Sequence, residues 1–302
     1  MNKIIEKIKE LKAAKKAIVL AHCYQPVEID QVADYVGDSL YLSQVASKTD
    51  ANIIVFAGVY FMAQTAKLLS PEKKVLLPQI EAGCRMADML SHKQLKDFTS
   101  KHPTLPSVCY VNSTAEVKAE CDICCTSANA VEIVKSLGAS KVLFVPDTYL
   151  GKWVEKQIGN VEVITYPGFC PTHLQIRPID IENARKKYPQ AVILAHPECH
   201  MSVSSIADYV GSTTGIINYV KNSKNKTFVI ATEQGVVDRL KRDYPNKEII
   251  PVKNNIVCPN MKMTSLEDIL YVLETEENEI IVDNNIAQKA VRCLDRMLEV
   301  SK

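Results

Sequence analysis

Apolar and polar positions along this chain alternate between two textures. Short apolar runs rich in β-branched residues are followed by stretches in which apolar residues recur at helical spacing. The alternation predicts an α/β fold in which helices connect and cover parallel strands.

The runs are of three types, and each type occurs three times. The first reads "AIVLAHCYQ", "SVCYVNST" and "AVILAHPEC", which puts His22, Tyr110 and His196 in register at separations of 88 and 86. The second reads "NIIVFAG", "KVLFVPD" and "TFVIATE", with Ala57, Val145 and Ala231 at the same separations. Between them each copy carries a small-residue turn before a helix, in "GDSLYLSQVAS", "CTSANAVEIVKSLG" and "GSTTGIINYVKN", aligning Ser39, Ser127 and Thr213. The third type, "KKVLLPQ", "NVEVITYPG" and "KEIIPVK", is followed each time by a cysteine: Cys84, Cys170 and Cys258.

Self-similarity at a fixed period means one supersecondary unit used three times. The expected organisation is three αβα domains with parallel sheets, at 1–88, 89–174 and 175–262, related by a pseudo-threefold axis with the site at its centre. Residues 263–302 then read as a helix–strand–helix segment that closes the assembly against the first unit. No linker-like stretch separates the copies, so rigid packing is expected.

Composition narrows the class without naming the chemistry. Of 302 residues, 47% are hydrophobic and 24% charged, enough for two or three compact units. Lysine plus arginine (36) balances aspartate plus glutamate (35) in an interspersed pattern, which argues against nucleic acid or a membrane surface as partner. No apolar run approaches the roughly 20 residues of a membrane-spanning helix, and "MNKIIEKIKELKAAKKAIVLAH" reads poorly as a signal peptide. A soluble, cytoplasmic protein is expected. In a reducing compartment its ten cysteines are metal ligands, catalytic thiols or core residues rather than a disulfide framework.

In parallel α/β sheets, ligands gather in loops beyond the carboxyl ends of the strands. Three equivalent loops would bring Cys84, Cys170 and Cys258 to one midpoint as three sulfur ligands. Three ligands leave a coordination position open, where four would close the site. All-sulfur ligation favours an iron–sulfur cluster or zinc. Simple burial behind a strand would explain any one of these cysteines, but not their recurrence at one repeat position. "CDICC", with Cys121, Cys124 and Cys125, fails the same test. Its equivalents are Ala33, Val36 and Gly37, then Ala207, Val210 and Gly211, so these cysteines are expected to pack in core or turns, with a redox-active pair as the alternative. Cys23, Cys109, Cys199 and Cys293 lack repeat partners and read as packing residues, and His92, His102 and His200 carry no role.

Polar residues end each first run: His22 and Tyr24, Tyr110 and Asn112, His196 and Glu198. Ser39, Ser127 and Thr213 stand where helix starts bind anions, though ordinary N-capping would account for them equally. Three such starts around an open metal position suit a small substrate bearing carboxylates or a phosphate, with Glu198 and the imidazoles moving protons.

"AHCYQ" with "GDSLYLS", "CYVNSTAEVKA" with "CTSANA", "PDTYLG", "GFCPTH", "AHPEC" with "GSTTGI", "TEQG" and "CPNMKMTSLEDI" together resemble the quinolinate synthase family over essentially the whole chain. The resemblance implies a triangle of three αβα domains and one [4Fe-4S] cluster on Cys84, Cys170 and Cys258. It implies condensation of iminoaspartate with dihydroxyacetone phosphate to quinolinate, releasing phosphate and water, with an L-aspartate oxidase or dehydrogenase as the functional partner that supplies iminoaspartate. Carried over by motif, substrate contacts are His22, Ser39, Tyr110, Asn112, Ser127, His196, Glu198 and Thr213, and the catalytic residues are Glu198, His196 and Tyr24. Arg85 stands where a proline is common in the family. The competing readings are an iron–sulfur electron-transfer or redox-sensing protein, a zinc-dependent lyase on the same scaffold, and a purely structural metalloprotein.

Overall fold

The structure is a computed structural model, and it describes residues 2–301. Strands with both faces covered are expected to be apolar throughout rather than alternating, and the central pair of each sheet follows this rule, whereas the outer strands at Glu162–Thr165 and Glu248–Pro251 are only partly buried. β1 (Ala17–His22), β3 (Ile53–Ala57) and β4 (Lys74–Leu76) belong to the first unit. β5 (Ser107–Tyr110), β7 (Lys141–Val145) and β8 (Glu162–Thr165) belong to the second. The third holds β9 (Val192–Ala195), β11 (Thr227–Ala231) and β12 (Glu248–Pro251). Every residue of β3 and of β5 is buried.

Each unit also has a strand that the apolar pattern did not predict: β2 (Tyr35–Gly37), β6 (Ile123–Cys125) and β10 (Tyr209–Val210). Two or three residues carry no readable period, so the edge pairing of the stretch containing "ICC" and its equivalents was not predicted, although Cys124 and Cys125 are core residues as expected. Three four-stranded parallel sheets result, ordered β2-β1-β3-β4, β6-β5-β7-β8 and β10-β9-β11-β12. Register repeats with the order: Ala21 pairs with Ala57, Cys109 with Val145 and Ala195 with Ala231.

Helices α1 (Asn2–Lys15), α2 (Ser39–Lys48) and α3 (Tyr60–Leu69) flank the first sheet. α4 (His92–Thr99), α5 (Ala115–Lys118), α6 (Ala130–Ser136) and α7 (Thr148–Ile158) flank the second. α8 (Pro178–Lys187), α9 (Met201–Ser204), α10 (Thr213–Asn222) and α11 (Gln234–Asp243) flank the third. One apolar core contains residues of all three sheets, among them Leu20, Phe144 and Phe228. The units are therefore packed together rather than strung on linkers.

The end of the described chain departs from expectation. α12 (Leu266–Thr275) packs on α1 and β3, as a segment closing the first unit should. In place of the strand expected next, a single antiparallel bridge joins Glu279 to Leu76. α13 (Asn284–Val300) then crosses to the second unit, packing against its α5 and β6 while also touching α3 of the first. Asp283 caps it, accepting from the N–H groups of Asn285 at 2.9 Å and Ile286 at 3.2 Å. Its buried residues Ala290, Cys293, Leu294 and Met297 form one helical stripe. No helix among the described residues is long and apolar enough to cross a membrane.

Candidate functional site

The first strand of each sheet delivers its polar end to one shared cavity. His22, Tyr24 and Ser39 reach it from the first unit, Tyr110, Asn112 and Ser127 from the second, and His196, Glu198 and Thr213 from the third. Cys84, Cys170 and Cys258 line the same cavity, so every residue singled out in the sequence meets there.

The three cysteines are positioned alike. Each lies two or three residues before a one-turn 3₁₀ segment: Ala87–Met89, His173–Gln175 and Asn260–Lys262. The Cys84 sulfur accepts from the N–H groups of Ala87 and Met86, Cys170 from that of His173, and Cys258 from those of Met261 and Asn260. Burial pushes the Cys84 thiol up to about 12 and raises the other two, and each pair of sulfurs adds to the effect. Three soft donors in one desolvated spot, each already receiving backbone N–H groups, fit a metal cluster whose charge would draw the protons off.

Contacts within the third unit and between units fix the loops. Buried Glu233 accepts from the N–H of Cys258 at 3.2 Å and from that of Gly235 at 2.6 Å, and pairs with Lys262 at 3.2 Å. Asn260 Nδ2 donates to the Gly83 carbonyl at 2.9 Å, tying the third cysteine loop to the first. The loop after β1 is held from the third unit. Arg239 donates to the carbonyls of Cys23 and Gln25 at 2.5 and 2.8 Å, and Lys262 to that of Tyr24.

His22 and His196 share an arrangement. The Tyr24 N–H donates to His22 Nδ1 at 3.1 Å, and the Glu198 N–H to His196 Nδ1 at 3.3 Å. A ring nitrogen that accepts carries no proton, so each neutral imidazole keeps its proton on Nε2. Burial holds both rings down at about 3, with Arg239 adding to the effect on His22 and Glu198 opposing it on both. At neutral pH the cavity therefore has two uncharged N–H donors.

Glu198 is the charge between them. Burial disfavours its carboxylate, but His196, His173 and hydrogen bonds from His173 and Tyr110 outweigh burial and hold it at about 2. The Tyr110 hydroxyl donates to Oε1 at 2.5 Å, and His173 Nδ1 lies 2.8 Å from Oε2. His173 Nε2 lies 2.8 Å from Thr232 Oγ1, which lies 3.3 Å from the Tyr24 hydroxyl. Thr213 Oγ1 donates to that hydroxyl at 3.2 Å. A continuous hydrogen-bonded path thus runs from Tyr110 through Glu198, His173 and Thr232 to Tyr24, crossing all three units. Burial, aided by Glu198, raises both tyrosines, which therefore stay protonated.

The helix starts differ from simple capping. Asp38 caps α2, accepting from Tyr41 N–H at 3.1 Å, and Ser212 caps α10, accepting from Gly215 N–H at 3.1 Å. Ser39 and Thr213 are the first residues inside their helices, so their hydroxyls are spared that task. Ser127 lies before α6, in the turn after β6. Asn112 Oδ1 is buried without a partner among the described residues. An orphaned acceptor on a cavity wall is the kind of group a ligand satisfies.

Sequence reasoning missed His173 and Thr232. His173 stacks on His196 with centroids 4.7 Å apart, and its Nδ1 lies 3.2 Å from Cys170 Sγ. Its position three residues after Cys170 in "CPTH" was the available signal. Thr232 follows β11 without any polar counterpart in the other two copies, Gly58 and Pro146. Cys170, His173 and Glu198 also place one ligand atom each within 4.8 Å of the others.

A family model described as "Quinolinate synthetase A protein" matches residues 6–299. Curated relatives called "Quinolinate synthase" are similar over nearly their full length. Those of Dehalococcoides mccartyi (strain CBDB1) and Alkaliphilus metalliredigens are 52% and 50% identical over 297 residues, 98% of each chain. That of Caldicellulosiruptor saccharolyticus is 44% identical over 301 residues, covering 100% of this chain and 99% of its own. With three repeated sheets, a shared cavity and a match across almost every residue, the chain belongs to the quinolinate synthetase A protein family.

Proposed function

We propose that this enzyme condenses iminoaspartate with dihydroxyacetone phosphate to give quinolinate, phosphate and water, using a [4Fe-4S] cluster held by Cys84, Cys170 and Cys258. The observation that carries the reading is the convergence of one thiol from an equivalent turn of each unit on the cavity that holds Glu198. When bound, such a cluster supplies a Lewis-acidic iron with a free coordination position.

The residues of the chain supply the rest. The Nε2–H groups of His22 and His196, the hydroxyls of Ser39, Ser127 and Thr213, and Asn112 bind substrate carboxylates and phosphate, with the two rings contributing donors that need no counter-charge. Glu198, ionised at neutral pH, accepts a proton from the bound intermediate. The path through His173 and Thr232 then shares that proton with Tyr24, so that loss of water need not wait on bulk solvent. The burial of these groups keeps them fixed and dry as charge develops. Iminoaspartate would come from an L-aspartate oxidase or dehydrogenase, and the reduced thiols suit a cytoplasmic location.

The test is an anaerobic assay for quinolinate from the two substrates, with iron and acid-labile sulfide measured on the same preparation. Product formation with about four irons and matching sulfide per chain is expected. A preparation with full iron and sulfide that forms no quinolinate would overturn the reading. A second reading, a zinc-dependent lyase, draws on the proximity of Cys170, His173 and Glu198. One zinc without sulfide in the active protein would establish it instead.

A further inference from the structure

A second group of thiols lies away from the cavity, where β5, β6 and α13 meet. Cys109 on β5 and Cys124 on β6 are direct neighbours in the parallel register. Cys293 reaches them from α13, its Sγ 2.9 Å from that of Cys124. Cys109, Cys124 and Cys293 are fully buried, whereas Cys121, in the turn before β6, is half-buried.

The fully buried Lys118 stands beside the group. Its ammonium donates to the carbonyls of Val111, at 2.9 Å, and Ser113, and lies 5.7 Å from the Phe61 ring centroid. Among the described residues it forms no ion pair with a carboxylate. A buried cation so placed favours an anion nearby. Burial works against a Cys109 thiolate, yet the thiols of Cys121 and Cys124, together with Lys118, bring Cys109 well below the ordinary thiol range, while the hydrogen bond to Cys109 and burial raise Cys121, and burial and the same partner raise Cys124.

Two chemistries suit four sulfurs: a metal, or sulfur–sulfur bonding. A tetrahedral zinc–thiolate site with bonds of about 2.3 Å spaces its sulfurs about 3.8 Å apart. The Cys124–Cys293 separation is much shorter than that edge, and no three of these sulfurs lie mutually within 4.8 Å. The sulfurs form a chain from a half-exposed member to a buried pair. We propose that Cys124 and Cys293 form a reversible disulfide that links β6 to α13 and is loaded from the surface through Cys121 and Cys109.

The oxidant is a low-molecular-weight disulfide, RSSR. Cys121 attacks it and expels one RSH, and Cys109 attacks the Cys121 sulfur and expels the second. Cys124 displaces Cys121 from Cys109, and Cys293 then displaces Cys109 from Cys124. Two thiols are oxidised, RSSR is reduced to two RSH, and the protons of Cys124 and Cys293 end on the two RSH. The product staples the last helix to the strand that leads to Ser127. Its chemistry is separate from the cavity cysteines.

The experiment treats the cluster-loaded full chain with oxidised glutathione under argon, blocks free thiols in denaturant and digests with trypsin. A disulfide-linked pair of peptides 119–135 and 293–296 is expected, absent in C124S and C293S and present in C125S. C109S and C121S should form it at least tenfold more slowly, with unchanged cluster absorbance. C293A replaces C293S if circular dichroism shows the latter unfolded. The proposal fails if the linked pair never forms in native protein, or forms only after denaturation. It fails equally if one zinc binds per chain and is lost in C124S. Formation at an undiminished rate in C109S and C121S removes the loading route.

Discussion

Two groups of cysteines in this protein are built on opposite principles. Cys84, Cys170 and Cys258 are far apart in sequence and recur once per unit. They converge because three copies of one turn face a common cavity. Cys109, Cys121 and Cys124 are close in sequence, and Cys293 joins them because α13 crosses from the far end of the described chain. The first group lines open space beside ionisable groups. The second lies in the packed layer between a sheet and a helix, with one half-exposed member. Density of cysteines along the chain therefore says less about which of them reach the cavity than recurrence within the repeat.

Substitutions can break this contrast, and the largest effect belongs to the first group. Replacing Cys84, Cys170 or Cys258 with alanine should abolish turnover and strip iron and sulfide from the protein. C124A and C293A should keep full iron at a cost of about 1–3 kcal/mol in stability from the lost packing. Iron analysis beside urea melts checks both, and iron loss in C124A would erase the distinction.

Glu198→Gln comes next, with a fall in kcat of about 10²–10⁴-fold at unchanged iron content. Steady-state kinetics on cluster-matched preparations measure it, and undiminished kcat would remove Glu198 from proton transfer.

The histidines of the cavity give a pH signature that the peripheral thiols lack. His22 and His196 stay neutral in the folded protein down to about 3 but take protons near 6.5 when unfolded. Stability should be complete above 6.5 and decline as pH falls toward 3, by about 1.4 kcal/mol per pH unit for each ring. Urea midpoints between pH 7 and 5 test this, and His22→Gln should halve the slope.

The smallest effect expected is at Thr232, whose hydroxyl joins His173 to Tyr24. Thr232→Val should lower kcat about threefold to tenfold, the equivalent of ~1 kcal/mol for a neutral hydrogen bond, with iron intact. A larger loss in KM than in kcat would make Thr232 a binding residue rather than part of the path.

Much of this was legible in the sequence, because buried parallel strands leave continuous apolar runs and because a threefold repeat lets each copy check the others. Three features were not. β2, β6 and β10 are too short to show a period, and their edge pairing depends on a neighbouring strand. The path through His173 and Thr232 is made by residues without counterparts in the other copies, so the repeat that exposed Glu198 and His22 was silent on them. α13 has an amphipathic pattern that announces a helix but not the surface it seeks, and it packs on the second unit as well as on α3 of the first.

That crossing has a consequence for how the protein comes into being. β6 and α5 are covered by a helix that the ribosome reaches only after all of the third unit has been translated. The middle of the nascent chain must wait with an apolar stripe exposed, open to chaperones, while its N-terminal neighbour waits likewise for α12. Three repeats that could have matured one by one are thus obliged to mature together.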